Sequence, residues 1–337
     1  MEGRIHIPQG VGLVIVGRNE GPRLLKSLER TDAAGPVVYV DSGSRDGSPD
    51  VARNLGFHVL ELDPAEPFTA ARGRNEGFAY LARTWPGLEY VHFQDGDCLV
   101  HAGWLEAGRA ELARDPKVGL VSGVLREQHA DASVFNRLLD MEWQQPAGDD
   151  VRIGGNAMVR AAAFEAVGGF KKDLPAGEEG DLHLRLRQAG WIVRRIDVPM
   201  AFHDADMRHF SQWWQRCVRS GQATAEGVDL HAGDDAAGAR RLRSNFFWGL
   251  AVPAVGVLGA PLTLGMSTLV PAVGFGALYT KILRAELARG RPLADAELYA
   301  RFMVLAKVPQ AVGQLRYRLR RARGEKTRVI DWRDAGR

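Results

Sequence analysis

Short apolar runs alternate with stretches of helical period over the first two thirds of the chain. Residues 11–16 are continuously apolar, as a strand buried on both faces requires. Residues 23–30 carry Leu24, Leu25 and Leu28 on one side, a helical face. The alternation continues. It predicts strands at 37–40, 59–62 and 90–94, an extended stretch at 118–121, and helices at 50–55, 74–82 and 104–114. A strand-like stretch follows at 191–197. The β-α-β-α order predicts an α/β fold with a mostly parallel sheet and helices on both faces.

Beyond residue 243 the pattern changes. Between Arg243 and Lys281 lie 37 residues without Asp, Glu, Lys, Arg or His. One helix of that length would run about 55 Å, against a hydrocarbon core of about 30 Å. The segment is also broken by Pro253, Pro261 and Pro271 and by several glycines. A hairpin of two short spans, or a re-entrant pair, fits this better than one span, and a buried helical hairpin or oligomer contact is the soluble alternative. Arg240, Arg241 and Arg243 precede the segment and Lys281 and Arg284 follow it, so both ends are expected on the cytoplasmic side. A basic run from Arg316 to Arg323 is expected to lie against anionic lipid. Two domains are therefore expected. Residues 1–230 form the soluble front, and residues 231–337 a C-terminal helical region with its apolar hairpin at about 246–280 and a basic tail. Residues 145–150 and 227–238 read as loose connections.

Composition narrows the class without naming it. With 337 residues, 45% hydrophobic and 25% charged, the chain is an ordinary globular protein in its front part. A net charge of +3 is too small to point to nucleic acid. Cys98 and Cys217 form neither a disulfide framework nor a zinc spacing, so a reducing, cytoplasmic setting is expected. Residues 1–10 show no apolar leader of the kind a signal peptide has.

Polar clusters fall just after the predicted strands. Arg18-Asn19-Glu20 follows the first, Asp41-Ser42-Gly43-Ser44-Arg45-Asp46-Gly47-Ser48 the second, and Asp95-Gly96-Asp97 the strand at 90–94. In a parallel sheet these ends share one edge, where ligands bind. Asp-Gly is also a common turn, but three acidic clusters on one edge repel unless a cation joins them. Asp95 and Asp97, two residues apart, suit a hard divalent cation shared with phosphates. The Asp41 loop offers backbone N–H groups and a carboxylate to a ribose or base edge. Arg72 and Arg74 either face a diphosphate or lie in solvent. Gly154-Gly155-Asn156 permits close backbone approach to a ligand, whereas Gly168-Gly169-Phe170 is explained by a helix C-cap.

Glu178, Glu179 and Asp181 open a helix that ends near Gly190. Acidic groups in a first turn favour the macrodipole, yet three within four residues exceed what capping needs, and one is a candidate general base. His203 follows the stretch at 191–197; it is either structural or a further metal ligand beside Asp97. Trp213, Trp214 and Arg216 form an aromatic and basic cluster. It could stack on a sugar or base, sit at a membrane interface, or belong to the core.

Taken in order, these motifs resemble glycosyltransferase family 2, with the nucleotide-diphospho-sugar transferase (GT-A) fold. The resemblance covers about residues 10–225. It runs through residues 14–20 and 40–48, Arg74-Asn75-Glu76-Gly77, Asp95-Gly96-Asp97, Gly154-Gly155-Asn156, Glu178-Glu179-Gly180-Asp181 and Gln212 to Arg216. It implies inverting transfer from a nucleotide-diphosphate sugar donor to a hydroxyl acceptor. By resemblance, Asp41 binds the nucleoside, Asp95 lies near ribose or metal, Asp97 ligates Mn²⁺ or Mg²⁺, and His203 supplies another ligand. Arg18, Glu20, Ser42, Arg74, Asn75, Gly155, Asn156, Trp214 and Arg216 fall in the substrate-binding motifs.

Glu179 stands where the family has an Asp base, with Glu178 and Asp181 as alternatives. Residues 212–216 only approximate the Gln-x-x-Arg-Trp motif of processive synthases, which argues against a polymer-extruding enzyme. Membrane attachment points to a lipid-linked or envelope acceptor. Other classes share parts of the pattern. A sugar-1-phosphate nucleotidyltransferase would carry a Gly-rich basic loop where Val16-Gly17-Arg18-Asn19-Glu20 stands. A phosphatase would need a different residue after Asp97-Cys98. A non-catalytic sugar-nucleotide-binding scaffold would not need the acidic set.

Overall fold

The computed structural model describes residues 4–149, 153–231 and 233–325. Met1 to Gly3, Asp150 of the expected break with Val151 and Arg152, Ala232, and residues 326–337 of the expected tail lie outside them. The strands are β1 (Val11–Gly17), β2 (Val37–Asp41), β3 (His58–Glu61), β4 (Tyr90–Asp95), β5 (Cys98–Val100), β6 (Val118–Glu127), β7 (Gly148–Asp149), β8 (Ala157–Arg160) and β9 (Ile192–His203). The helices of the first part are α1 (Pro22–Glu29), α2 (Ser48–Asn54), α3 (Ala70–Thr84), α4 (Trp104–Arg114), α5 (Val134–Trp143), α6 (Ala161–Ala166) and α7 (Glu178–Gln188). Those that follow are α8 (Phe210–Leu230), α9 (Ala236–Phe246), α10 (Val252–Gly259), α11 (Leu269–Ala288), α12 (Leu293–Leu305) and α13 (Lys307–Ala322).

The contacts divide the chain into two compact units, 1–132 with 142–206, and 133–141 with 207–337. The first unit holds a nine-stranded sheet in the order β3-β2-β1-β4-β8-β6-β9-β5, with β7 on β9. Strands β3, β2, β1 and β4 are parallel, as are β6 and β9. The sheet is more mixed than the expected, mostly parallel one. Strand β8 enters antiparallel between β4 and β6, and β5 antiparallel beside β9. Neither β5 nor β8 was legible in the pattern, since runs of three and four residues sit below the length at which periodicity speaks.

Side-chain alternation along β1 builds both faces. Leu13 and Ile15 point into one core with Leu24 and Leu28 of α1 and Trp104 and Leu105 of α4. Val14 and Val16 point into the other with Phe78 and Leu81 of α3, Phe164 of α6 and Leu182 and Leu186 of α7. The two-residue period of a strand buried on both sides dictates this split. Parallel pairing then aligns the carboxyl ends, with Gly17 beside Asp41 and Val16 beside Asp95.

The second unit is helical. Helices α8 and α13 approach backbone to backbone through Gly221 and Gly313: a Cβ at Gly221 would fall on the Gln310 carbonyl, and one at Gly313 on that of Val218. Only glycine fits there. The charge-free segment folds as a helical hairpin. One arm runs from α9 through a π-type turn at Phe247–Ala251 into α10. The backbone takes that wider register just before Pro253, which has no N–H to donate. The chain reverses at Leu264 and Gly265, both with positive φ, and α11 returns. At the tip, Leu262 is 89% and Leu264 97% exposed. Among the described residues one helix, Met266–Ala288, is long and apolar enough to cross a membrane by length and composition.

Candidate active site

Two loops are latched together at the edge formed by the ends of β1 and β2. The Asn19 side-chain oxygen accepts from the Arg45 N–H at 2.8 Å, and the Asn19 N–H donates to Ser44 Oγ at 2.9 Å. The Gly21 N–H donates to Asp46 at 2.9 Å. Asp41 organises the second loop from inside. It is 1% exposed and accepts from the Gly43 and Ser44 N–H groups at 2.9 and 2.8 Å and from the Tyr39 hydroxyl at 2.8 Å. Its carboxylate therefore shapes the loop that the sequence assigns to a nucleoside. The Ser42 N–H donates to the Gly17 carbonyl, which ties that loop to β1. Arg18 is exposed, its guanidinium 5.6 Å from the centre of the Phe68 ring. Glu20 is buried against Arg23 at 3.1 Å.

Arg74 is the hub of the site. It lies on α3, 2% exposed. One guanidinium nitrogen reaches Asp95 Oδ1 at 2.8 Å, the other Glu178 Oε1 at 3.0 Å, and Glu179 is 4.0 Å away. The Phe170 ring lies against it, 5.4 Å from the guanidinium carbon. Burial alone would weaken its charge, but Asp95, Glu178 and Glu179 outweigh that and hold the guanidinium firmly protonated. Instead of facing a ligand in the open, Arg74 clasps the end of β4 to the start of α7. Gly155 is what makes room, because a Cβ there would fall on the guanidinium. Asn156 completes the clasp. Its oxygen accepts from the Asp95 N–H at 3.1 Å, and its amide nitrogen donates to Asp95 Oδ2 at 3.3 Å.

Asn75 and Arg72 face other groups. Both polar ends of the Asn75 side chain bond the Phe170 backbone, at 2.7 and 2.9 Å, which holds the 168–170 turn. Arg72 is buried and donates to the carbonyls of Asp63 and Glu66.

The three acidic residues of α7 have different surroundings. Glu178 is buried on Arg74. Asp181 is buried and paired with Arg185, at 2.8 Å to Nε, and with Lys171 at 3.3 Å. Glu179 keeps a side chain 27% exposed. Enclosure and the neighbouring Glu178 charge push its pKa up to about 7, against the pull of Arg74. Of the three, it is the carboxylate that solvent reaches and that can exchange a proton near neutral pH.

A second cluster lies beyond the triplet. Asp97 Oδ2 is 3.6 Å from His203 Nε2. Together with Cys98 they form a group whose ligand atoms all lie within 4.8 Å of one another. A carboxylate and an imidazole suit a divalent cation such as Mn²⁺. Burial and the Asp97 charge push the Cys98 thiol well up, and a thiol is the softest and least suited of the three donors to a hard cation. For His203, burial acts to lower the pKa, but Asp97 and Glu127 raise it above the ordinary value. Asp95 is not in this group; Arg74 and Asn156 take its oxygens.

Glu127 and Trp143 also belong here and were missed. The usable signal was a lone acidic residue at the far end of the strand read only as 118–121. Trp214 and Arg216 lie on α8 in the second unit. There Trp213 packs on Phe302, and Gln212 caps the helix by accepting from the Arg208 and His209 N–H groups.

The mixed sheet flanked by helices, with this carboxylate-lined strand edge, is the GT-A fold. A solved structure with the same fold is a mannosyltransferase, PcManGT from Pyrobaculum calidifontis, in complex with GDP-Man and Mn²⁺. It matches with a TM-score of 0.54 and 19% identity over 94% of this chain and 90% of that one. Residues 13–168 match the family model Glycosyl transferase family 2. The glycosyltransferase AglE of Haloferax volcanii is 27% identical over 230 residues, 63% of this chain and 72% of that protein. Succinoglycan biosynthesis protein ExoA of Rhizobium meliloti is 25% identical over 60% of this chain and 66% of its own length. A pre-mycofactocin glycosyltransferase of Mycobacterium tuberculosis is 28% identical over half of this chain but only 37% of its own. These matches identify the chain as a glycosyltransferase whose residues 13–168 resemble glycosyltransferase family 2.

Proposed function

We propose that the protein is an inverting glycosyltransferase, dependent on a divalent cation, that passes a sugar from a nucleotide diphosphate to a hydroxyl. The acceptor would be a lipid-linked or envelope saccharide at the cytoplasmic face of a membrane. The observation that carries this is the contrast within α7: Glu178 and Asp181 are held in ion pairs, while Glu179 is accessible with its pKa at about 7. Glu179 takes the proton as the acceptor O–H bond breaks. The acceptor oxygen bonds the anomeric carbon from the face opposite the diphosphate, and the bond from that carbon to the diphosphate oxygen breaks with its electrons leaving on the nucleotide. Arg74 orients the machinery by fixing Asp95 and α7 together. The latched loops at Arg18 to Glu20 and Ser42 to Arg45 form the nucleoside side.

Asp97 and His203 would hold the cation, Mn²⁺ or Mg²⁺, which when bound offsets charge on the leaving diphosphate. The GDP-Man and Mn²⁺ of the mannosyltransferase neighbour support this donor class and make Mn²⁺ the first cation to test. The name of ExoA supports a polysaccharide-building setting.

Membrane association rests on the hairpin. Its uncharged arms, residues 244–260 and 266–280, are about 25 and 22 Å long at 1.5 Å per residue. Basic residues flank both ends, and the second arm continues to Ala288 in a helix long enough to cross a membrane. The hairpin therefore enters and leaves by the same face.

The test is a panel of nucleotide sugars, assayed with Mn²⁺ and a membrane lipid extract for release of nucleoside diphosphate, with the product's anomeric configuration read by NMR. Release that needs both cation and extract, with inversion, is expected. Retention at the anomeric carbon, or nucleotide sugar made from a sugar 1-phosphate and a nucleoside triphosphate, overturns the proposal.

A further inference from the structure

Strand register places His203 between two partners. Across one side of β9 it pairs with Cys98 of β5, and across the other with Glu127 at the end of β6. Glu127 Oε2 lies 3.4 Å from His203 Nδ1, while Nε2 lies 3.6 Å from Asp97. The Trp143 ring stands edge-on to the imidazole with centres 4.7 Å apart, which fixes the ring plane from the side. Glu127 is itself held. Its oxygens accept from the Ala205 N–H at 3.2 and 3.4 Å and from the His129 N–H at 3.3 Å, and its side chain is fully enclosed.

A carboxylate so placed demands a donor from the imidazole nitrogen that faces it. A neutral imidazole carries one proton. If Glu127 keeps that proton on Nδ1, the Nε2 lone pair is presented toward Asp97. A metal-bound imidazole has this arrangement, its far N–H given to a carboxylate that fixes tautomer and orientation. We propose that Glu127 is a positioning residue for His203: it selects the Nδ1–H tautomer and aims Nε2 at the divalent-cation site. The proposal rests on the reading of Asp97 and His203 as cation donors, and its first measurement needs no metal.

That measurement is the tautomer of His203, from long-range ¹H–¹⁵N correlation spectra of the metal-free protein at a pH where the ring is neutral, assigned by loss of the signal in His203→Gln. The wild type is expected to show Nδ1–H, Glu127→Ala a shift toward the Nε2–H form, and Glu127→Gln, whose amide oxygen still accepts, the wild-type tautomer. Wild-type His203 in the Nε2–H form, or an unchanged tautomer in Glu127→Ala, overturns the proposal. The second measurement is Mn²⁺ affinity by electron paramagnetic resonance titration. Glu127→Ala is expected to weaken it by about 10–100-fold, with Glu127→Gln recovering part of the loss. Wild-type affinity in Glu127→Ala beside a loss in His203→Gln also overturns it. If His203→Gln itself binds Mn²⁺ as the wild type does, the cation reading has failed, and the tautomer alone decides what Glu127 does. Should Glu127→Ala not fold, Glu127→Leu, which keeps the volume without an acceptor, takes its place with the same expected loss.

Discussion

Arg74 donates to Asp95 at 2.8 Å from a guanidinium that is almost wholly enclosed. The pair joins two parts of the site that lie on different elements, because the second nitrogen of the same fork holds Glu178 at the start of α7. An arginine suits this role, since its planar fork serves two carboxylates at once where a lysine offers a point charge.

Removing the fork should be costly. Arg74→Ala leaves the Asp95 and Glu178 charges without their partner, so a loss of about 3–5 kcal/mol is expected, read by urea denaturation. Gly155→Ala should reproduce part of that loss without touching a charge, at about 1–3 kcal/mol, because the added methyl displaces the guanidinium. A Gly155→Ala protein as stable and active as the parent would mean that the clasp tolerates displacement.

The rate should carry the titration of Glu179. A base acts when ionised, and with its pKa at about 7, kcat/KM is expected to fall as pH drops through about 7 and to level off above it. Glu179→Gln should abolish that limb together with most of the activity. The sign for stability is opposite. A carboxylate whose folded pKa is raised above its unfolded value favours the folded state most below the unfolded pKa, and that contribution is lost as pH rises through the folded value. Glu179→Gln should therefore be no less stable than the parent at neutral pH. Activity that is flat from acid to neutral pH would assign the base elsewhere.

Chelation tests the cation. Dialysis against EDTA is expected to reduce turnover by about 10²-fold or more, the scale of losing one stabiliser of developing charge, and Mn²⁺ should restore it. Asp97→Ala should be inactive even with added Mn²⁺. Full turnover after chelation would remove the cation from the mechanism.

The hairpin tip predicts a separable membrane function. Leu262→Asp combined with Leu264→Asp places two charges where exposure is highest. Flotation with anionic vesicles should show the wild type at the top of the gradient and the double variant at the bottom. Secondary structure should be unchanged, since neither side chain packs inside the protein. Co-flotation of the variant would assign attachment to another surface.

Most of the first unit's plan was open to reading. Strands β1, β2 and β4 were visible because burial on both faces demands unbroken apolar runs, and the motifs fell where parallel pairing brings strand ends together. The sheet's antiparallel members were not, since β5 and β8 are too short for a period. The site was legible in outline. The Asp95-Gly96-Asp97 triplet, the acidic start of α7 and His203 were all named, but they separate into two clusters. Asp95 belongs to the Arg74 clasp and Asp97 to the imidazole. Asn75 and Arg72, expected near the ligand or in solvent, instead hold backbone turns. Nothing in a residue's type distinguishes an amide that binds a ligand from one that braces a loop.

The sequence by itself determined the order of elements, the edge where polar groups gather, and a long uncharged segment bounded by basic residues. These follow from hydrophobic period, strand polarity and charge, which are properties of neighbours along the chain. Only the tertiary structure decided which carboxylates of α7 are enclosed in ion pairs and which one solvent reaches. Arg74 meets Glu178 across 104 residues and His203 meets Glu127 across 76. The ionisation of each group is set by such distant partners and by its burial, which exist only once the sheet and helices have packed.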